Sequence, residues 1–195
     1  MALPKPYWAD MTALDFSTDT DGWIAVVPTA AVEQHGPHLP LGTDMLIGEG
    51  MVKTVVERLP QNIPASFLPV QAIGKSNEHI AYRGTITLSW ETAIKAWLEI
   101  GTSVARAGVR RIVFANSHGG NTAMLEVVAR ELRVRFDMLA VHTAWARFGD
   151  AGLVDEDERA FGIHGGTVET ALVRHFRPEL VREEHVANFL SAEKG

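Results

Sequence analysis

The chain has 195 residues, of which 46% are hydrophobic and 22% are charged, a balance typical of globular domains. This length corresponds to about one domain and leaves no room for a second full one. The net charge is −6, which argues against a partner bound mainly through its phosphates, such as nucleic acid. There is no cysteine, so any metal must be bound by His, Asp or Glu rather than by thiolates.

The sequence carries no signal for a membrane or for export. No apolar run approaches the roughly 20 residues needed to span a bilayer, and residues 1–12 lack the basic start and apolar stretch of a secretory signal. We therefore expect no membrane partner and a cytoplasmic location. No repeat or low-complexity tract divides the chain, so a single domain over 1–195 is predicted.

The hydrophobic pattern predicts strands and helices that alternate along most of the chain. In chain order they are a strand at 22–28, a helix at 44–59, a strand at 67–73, a helix at 89–107, a strand at 110–116, a helix at 123–136, a strand at 138–143 and a helix at 167–176. Thr43 or Asp44 is expected to cap the first helix, and Ser89 the second.

This order is typical of an α/β fold in which a mostly parallel central sheet lies between two helical layers, α/β/α. Such sheets bind ligands beyond the carboxyl ends of their strands. The polar residues that follow each strand are therefore the candidates for a functional site.

The loop after the first strand is rich in metal-ligating side chains. Its stretch EQHGPHLPLGTD, at 33–44, places Glu33, His35, His38 and Asp44 among glycines and prolines. If the chain is still extended there, side chains two residues apart project to one face about 6.6 Å from each other. Asp44 could return to the same point from a helix start, and His38 is expected to orient a ligand from behind.

Two further stretches bring a histidine or a carboxylate next to paired glycines. The strand at 110–116 runs into NSHGGN at 116–121, so His118 lies at a strand end, and Gly119 and Gly120 would let a substrate approach the backbone closely. The stretch HGGTVET, at 164–170, opens the last helix with His164 and places Glu169 near its first turn, where a carboxylate also suits the helix dipole.

The three stretches together supply five candidate metal ligands, which are Glu33, His35, Asp44, His118 and Glu169. Imidazole and carboxylate ligands without thiolate suit Zn²⁺, Mn²⁺ or Fe²⁺. Five ligands exceed one tetrahedral site. We therefore expect two divalent metal ions per chain, with Asp44 as the bridging carboxylate.

The stretches at 33–44, 116–121 and 164–170 resemble the creatininase (creatinine amidohydrolase) family, and the resemblance extends over essentially the whole chain. It implies a three-layer α/β fold, a two-metal hydrolytic centre and a ring-like homo-oligomer, commonly a hexamer. It also implies that Glu33 and His118 bind one ion, that His35 binds the other and that Asp44 bridges them. His164 is similar to the catalytic histidine of the family.

Two features depart from the family pattern. In creatininase proper, the residue two positions after the metal-binding histidine is a glutamate ligand, whereas this position is Gly120 here. We expect Glu169 to take its place. The family also usually continues well past Gly195, which leaves open a naturally short chain or one that lacks a C-terminal segment.

The predicted function is metal-dependent hydrolysis of a non-peptide or cyclic amide C–N bond in a small molecule. A hydroxide between two divalent ions is a nucleophile at neutral pH, because metal binding lowers the pKa of water to about 7. His164 would carry the proton to the leaving nitrogen. Trp145, which follows the last strand, could close over a small planar substrate.

Alternatives remain within the family and outside it. Relatives are linked to creatinine, to formamide groups and to short peptide tails, so a formamide deformylase or a precursor-peptide peptidase is the alternative within the family. The HGG stretch at 118–120 is also similar to the oxyanion hole of a serine hydrolase, but the nearest nucleophile-elbow match, at 101–105, lies in a predicted helix. A non-catalytic small-molecule-binding α/β module has little support, because no GxGxxG follows the first strand.

Overall fold

A computed structural model describes residues 3–149 and 152–189, so the predicted domain of 1–195 extends beyond these ranges. The strands and helices are β1 (Ile24–Thr29), α1 (Thr43–Arg58), β2 (Ala65–Phe67), α2 (Trp90–Arg106), β3 (Arg111–Asn116), α3 (Thr122–Phe136), β4 (Leu139–Ala144), α4 (Glu156–Phe161) and α5 (Thr167–Phe176). Among the described helices, none has the length and hydropathy of a membrane span.

The four strands form one sheet in the order β2-β1-β3-β4, and all of the strand pairs are parallel. From β1 the chain passes through α1 to β2 on one side, and then through α2 to β3 on the other side of β1. The strand order therefore reverses between β1 and β3, and the crevice outside the carboxyl ends of two such strands is the usual ligand site of an open α/β sheet.

Helices cover both faces of the sheet, which confirms the predicted three-layer α/β/α fold. On one face, Val27 of β1 and Phe114 of β3 are fully buried in the main core, together with Trp97 of α2 and Leu125 of α3. On the other face, a smaller cluster joins strand residues to α1 through Val52. Burying a large apolar side chain contributes about 1.5–3 kcal/mol, so this layered packing is what holds the strand ends in place.

The helix boundaries agree closely with the sequence pattern, with one difference at α1. Ser89 caps α2 as predicted, with its hydroxyl accepting from the backbone N–H of Thr92 at 3.2 Å. Neither Thr43 nor Asp44 caps α1, because Gly42 is the N-cap and the helix begins at Thr43. The carboxylate of Asp44 is turned into a buried polar cluster instead of back onto the helix terminus.

The second strand differs from the prediction at both ends: it spans Ala65–Phe67, whereas the predicted strand was 67–73. Pro69 explains the earlier end, because proline has no N–H to donate to a neighbouring strand. Beyond Pro69 the chain meets β1 again at Gln71, whose backbone N–H donates to the carbonyl of Pro28 at 2.8 Å. The polar segment that follows is therefore free to turn towards the end of the sheet.

The residues considered for a nucleophile elbow, 101–105, lie inside α2. Gly101 is buried, and a Cβ at this position would collide with the side chain of Leu132 on α3. The glycine thus serves the close packing of two helices, which removes the local geometry that the serine-hydrolase alternative requires.

Candidate metal centre

The candidate site lies where the strand order reverses, and three loops meet there. Asn121, fully buried, holds these loops together. Its side-chain nitrogen donates to the carbonyl of Ala30 after β1 at 3.0 Å, and its oxygen accepts from the backbone of Lys75 after β2 at 2.9 Å. Asn116, at the end of β3, contacts the same amide at 3.2 Å. The two asparagines of the NSHGGN stretch are therefore structural supports of the site.

Four of the predicted ligands form a buried cluster, which we call the ligand cluster: Glu33, His35, Asp44 and His118. Each side chain is almost completely removed from solvent. Nδ1 of His118 lies 3.1 Å from Oε1 of Glu33 and 3.4 Å from Oδ2 of Asp44. Nε2 of His35 lies 3.4 Å from Oδ1 of Asp44. The two oxygens of Asp44 thus face two different imidazoles.

The backbone fixes the orientation of both imidazoles. The Nδ1 atom of His35 is 3.1 Å from the carbonyl of Glu33, and Nε2 of His118 is 2.9 Å from the carbonyl of Lys75. Because a carbonyl only accepts hydrogen bonds, each of these nitrogens carries the proton in the neutral ring. The other nitrogen of each ring is then unprotonated, and its lone pair points into the ligand cluster, as it does in most metal-binding histidines.

The cluster fits divalent ions on the evidence of its buried atoms. Glu33 Oε1, His35 Nε2 and Asp44 Oδ2 are buried and make no hydrogen bond. Leaving polar atoms buried and unpaired is costly, and all three are of the ligand types that suit Zn²⁺, Mn²⁺ or Fe²⁺. The other oxygen of Glu33 accepts a short hydrogen bond from Ser76, which holds the carboxylate in place.

Glu169, the fifth predicted ligand, lies beside His35. It is in the first turn of α5, and its Oε2 atom is 3.7 Å from His35 Nε2 and accepts from the backbone N–H of Gly165 at 2.5 Å. The turn before α5 is held in part by Glu158, which accepts from the backbone N–H of Thr167 at 2.6 Å. The structure therefore brings all five predicted ligands together.

Burial and close charges strongly perturb the ionisation of this site. Burial raises the pKa of Glu33, but the close contact with His118 and a hydrogen bond from Ser76 outweigh it and hold the pKa at about 2. Burial lowers the pKa of His35, but contact with Asp44 and the charge of Glu169 raise it to about 9.

The pKa values of Asp44, Glu169 and His118 are all raised. Burial raises the pKa of Asp44, and it raises the pKa of Glu169 to about 7. Burial lowers the pKa of His118, but the carboxylates of Glu33 and Asp44 outweigh it, so the net shift is upwards. Without metal, the cluster therefore retains protons that bound cations would displace.

His164, the predicted catalytic residue, lies at the edge of the ligand cluster with about a quarter of its side chain exposed. Its Nδ1 atom is 3.6 Å from Glu33 Oε1, and its ring centroid is 4.2 Å from that of His35. Burial, together with the charges of His35 and His79, lowers its pKa to about 4. The ring is therefore neutral at pH 7 and able to accept a proton.

The sequence analysis missed the segment that follows β2. Ser76 contacts Glu33, Glu78 Oε1 lies 3.4 Å from His118 Nε2, and His79 Nε2 lies 3.8 Å from Glu33 Oε1. The rule that polar residues after a strand form the site would have found this segment. Its residues directly follow the predicted strand at 67–73, but they are remote in sequence from the three stretches that carry the other ligands.

The predicted substrate-binding glycines have different surroundings. A Cβ at Gly119 would meet no atom within 4 Å, so this residue faces open space. A Cβ at Gly120 would collide with the Glu78 carboxylate and the His118 ring. The position that holds a glutamate ligand in creatininase proper is therefore closed to side chains here, and the Glu78 carboxylate occupies the space.

Two further residues singled out from the sequence lie around the site. Nε2 of His38 is 2.9 Å from the hydroxyl of Thr170, so His38 supports α5, which carries Glu169. Trp145 follows β4 and packs against the apolar cluster that contains Val26 and Ala115. Its indole is half-buried at the carboxyl end of the sheet.

Comparisons with known proteins agree with this arrangement. The family model for creatininase, described as creatinine amidohydrolase, matches residues 9–195. A mycofactocin precursor peptide peptidase from Mycobacterium ulcerans (strain Agy99) is 35% identical over 167 residues, which cover 83% of this chain and 62% of the relative. A creatinine amidohydrolase from Pseudomonas putida is 28% identical over 178 residues, covering 85% of this chain and 68% of the relative.

The fold has a close counterpart among solved structures. A creatininase described with Mn superimposes with a TM-score of 0.74 at 23% identity, covering 95% of this chain and 78% of the other. The chain spans about three fifths of the length of the mycobacterial peptidase relatives that it matches. Similarity therefore extends over the whole sheet and the loops that carry the ligand cluster.

Proposed function

The chain belongs to the creatininase family, and from this membership we propose that it is a metal-dependent amidohydrolase acting on an amide C–N bond of a small molecule. The single observation that carries the proposal is the ligand cluster, in which Glu33 Oε1, His35 Nε2 and Asp44 Oδ2 are buried without a hydrogen bond. Buried ligand atoms of this kind are stabilised by a cation.

Two divalent ions per chain, of Zn, Mn or Fe, are part of the proposal. Glu33 and His118 would hold one ion, His35 and Glu169 the other, and Asp44 would bridge them. The distances from Asp44 to both imidazoles, 3.4 Å each, support the bridge, and the 3.7 Å approach of Glu169 to His35 supports its place as the fifth ligand. When bound, such ions polarise a carbonyl and lower the pKa of water, which makes it a nucleophile at neutral pH.

The protein's own residues would bind and protonate the substrate around this centre. His164 is the proposed acid/base residue: its Nδ1 atom is directed at the cluster, and its lowered pKa keeps it neutral, so it can take up a proton and pass it to the leaving nitrogen. Gly119 would let the substrate approach the backbone. Trp145, directly after β4, would form another wall of the substrate pocket.

A second candidate, hydrolysis of a precursor peptide, is favoured by the relatives. Four relatives named as mycofactocin precursor peptide peptidase are 34–35% identical to this chain, whereas the creatinine amidohydrolase is 28% identical. The closed position at Gly120 also separates this chain from creatininase proper. A formamide deformylase is the third possibility within the same chemistry.

The proposal includes a single domain over residues 1–195, a homo-oligomer, a hexamer by family resemblance, and a cytoplasmic location. Exposed apolar side chains at Leu139, in β4, and at Phe148, shortly after it, support self-association, because β4 is an outer strand of the described sheet. Sedimentation velocity of the purified protein measures the oligomer directly.

Metal analysis and substrate assays test the proposed function together. Protein purified without chelator should contain about two divalent ions per chain, and it should hydrolyse at least one amide among creatinine, small formamides and short peptides. Chelation should abolish this activity, and added Zn²⁺ or Mn²⁺ should restore it. Activity that survives complete removal of the metal would contradict the proposal and would favour a metal-independent hydrolase.

A further inference from the structure

The side chain of Gln34 links two imidazoles beside the ligand cluster. Its Oε1 atom accepts from the backbone N–H of Gly36 at 2.9 Å, which identifies the oxygen end of the amide. The Nε2 end must then donate, and it lies 3.2 Å from Nδ1 of His79 and 3.0 Å from Nε2 of His164. Gly36 has a φ of +73°, so this tight loop depends on a glycine.

The contacts of Gln34 give the two rings opposite protonation at the nitrogens that face the ligand cluster. Nε2 of His164 is 2.5 Å from the backbone carbonyl of Gln34, so this nitrogen carries a proton and cannot accept one from the Gln34 amide. The amide hydrogen therefore goes to Nδ1 of His79. Both neutral rings therefore carry the proton on Nε2. In His79 this protonated nitrogen faces Glu33, whereas in His164 it faces the Gln34 carbonyl and the unprotonated Nδ1 faces Glu33.

Both rings present their inner nitrogens to the same oxygen. His79 Nε2 is 3.8 Å and His164 Nδ1 is 3.6 Å from Oε1 of Glu33. The rings stack with centroids 4.3 Å apart at an interplanar angle of 14°, and each side chain is partly exposed. The site thus offers one hydrogen-bond donor and one acceptor, side by side, next to the ligand cluster.

We propose that Gln34 is a positioning residue that fixes both rings as the Nε2–H tautomer in these opposite orientations, and that His79 binds the substrate through its Nε2–H. The second part rests on the proposed amide hydrolysis. A primary amide, or a secondary amide held cis in a ring, presents an acceptor, the carbonyl oxygen, on the same side as a donor, the N–H, and so matches the donor and acceptor of the two rings. The pair therefore selects primary and cyclic secondary amides over N,N-dialkyl amides.

The role of Gln34 is tested without turnover, by the ¹⁵N chemical shifts of the imidazoles in zinc-loaded protein. In the wild type, Nδ1 of His79 should have the shift of an unprotonated nitrogen, and the His79→Gln variant assigns the signal by its loss. In Gln34→Glu, the carboxylate still accepts from Gly36 but cannot donate, so the proton should move to Nδ1.

Gln61→Glu is the matched control, because it makes the same substitution in the exposed turn before β2, at the opposite end of the sheet. Its histidine spectrum should equal that of the wild type. A protonated Nδ1 of His79 in the wild type, or an unchanged spectrum in Gln34→Glu, would overturn the role of Gln34.

The role of His79 is tested by kinetics on primary, cyclic secondary and N,N-dialkyl amides. His79→Leu should lower kcat/KM for the first two classes by about 100-fold, the usual effect of removing one donor to a developing charge. His79→Gln, whose amide nitrogen can replace the Nε2 donor, should recover most of this loss, with unchanged ion content in both variants. Equal losses in the two variants would overturn substrate binding by His79.

These outcomes separate the inference from the proposed function. If the wild type hydrolysed no amide in the presence of its ions, the proposed function would fail, and the substrate role of His79 would fail with it. The tautomer measurement would still decide the role of Gln34, because it needs neither a substrate nor turnover.

Discussion

Oδ2 of Asp44 lies 3.4 Å from Nδ1 of His118, although Asp44 belongs to the first turn of α1 and His118 follows β3. The other oxygen of the same carboxylate is directed at His35. Because Gly42 and not Asp44 ends the preceding loop as the helix cap, the carboxylate is available to the site. This arrangement makes Asp44 the most sensitive residue of the proposed centre.

Asp44→Asn should remove at least one ion per chain and lower turnover by more than about 100-fold, since even residues behind metal ligands cost about 10–100-fold. The substitution keeps the shape but removes the charge between two imidazoles. Elemental analysis and amide hydrolysis measure the effect. Asp137→Asn, on an exposed turn with positive φ that asparagine also adopts, is the control. Full activity of Asp44→Asn would reject the bridge.

Glu169→Gln should reduce the ion content from about two to about one per chain, because Glu169 adjoins His35 but lies outside the pair formed by Glu33 and His118. The remaining ion should keep its affinity, which distinguishes this variant from Asp44→Asn. Zinc titration with a competing chelator measures both sites. Two ions of unchanged affinity would mean that Glu169 does not replace the glutamate missing at Gly120.

Gly120→Ala and Gly119→Ala form a matched pair. A Cβ at Gly120 would collide with Glu78 and the ring of His118, so we expect a loss of metal and a fall in the free energy of unfolding of about 1–3 kcal/mol. A Cβ at Gly119 meets open space, so ion content and thermal stability should match the wild type. Similar stability of the two variants would show that Glu78 and the ring of His118 can move aside for a methyl group at position 120.

Metal affinity should rise with pH between pH 7 and pH 9. The pKa of His35 is raised to about 9 and that of His118 is also raised, so at pH 7 the metal-free protein holds protons that a cation must displace. Each released proton can change the affinity by up to about tenfold per pH unit. Calorimetric zinc titrations in buffers of different ionisation enthalpy count the protons, and a release of none would contradict these shifts.

The raised pKa of His35 also predicts how the stability of the metal-free protein depends on pH. A histidine whose pKa is raised in the folded state stabilises the fold fully below its ordinary pKa of about 6.5. This contribution is lost as the pH rises through about 9 for His35. Thermal unfolding of chelated protein across this range should show the decline, and His35→Gln should lack it.

Trp145→Phe should change the relative kcat/KM for different amides much more than the ion content. The indole packs against the apolar cluster near the strand ends, and its Nε1 atom is buried without a hydrogen bond. Replacement by Phe therefore loses no hydrogen bond and should cost less than about 1.5 kcal/mol of stability. Identical substrate preference in the variant would remove Trp145 from the pocket.

The sequence alone determined the layered fold and the principal side chains of the site. In the sequence, a buried strand is a continuous run of apolar residues, and a helix has apolar residues that recur about every 3.6 positions. The alternation of strands and helices is therefore evident from the sequence. Glu33, His35, His118 and Glu169 stand in short stretches with glycine neighbours, which marked them locally. These features depend on neighbours in the chain, and the printed sequence contains them.

Only the tertiary structure decided which residues meet. The segment after β2 brings Ser76, Glu78 and His79 to the ligand cluster, although none of them stands in the three stretches that carry the predicted ligands. The distance between Glu78 and Gly120, the tautomers fixed by Gln34 and the pKa shifts of the cluster all depend on packing between segments remote in sequence. Such contacts follow from how the helices and loops fit around the sheet, which local periodicity does not encode.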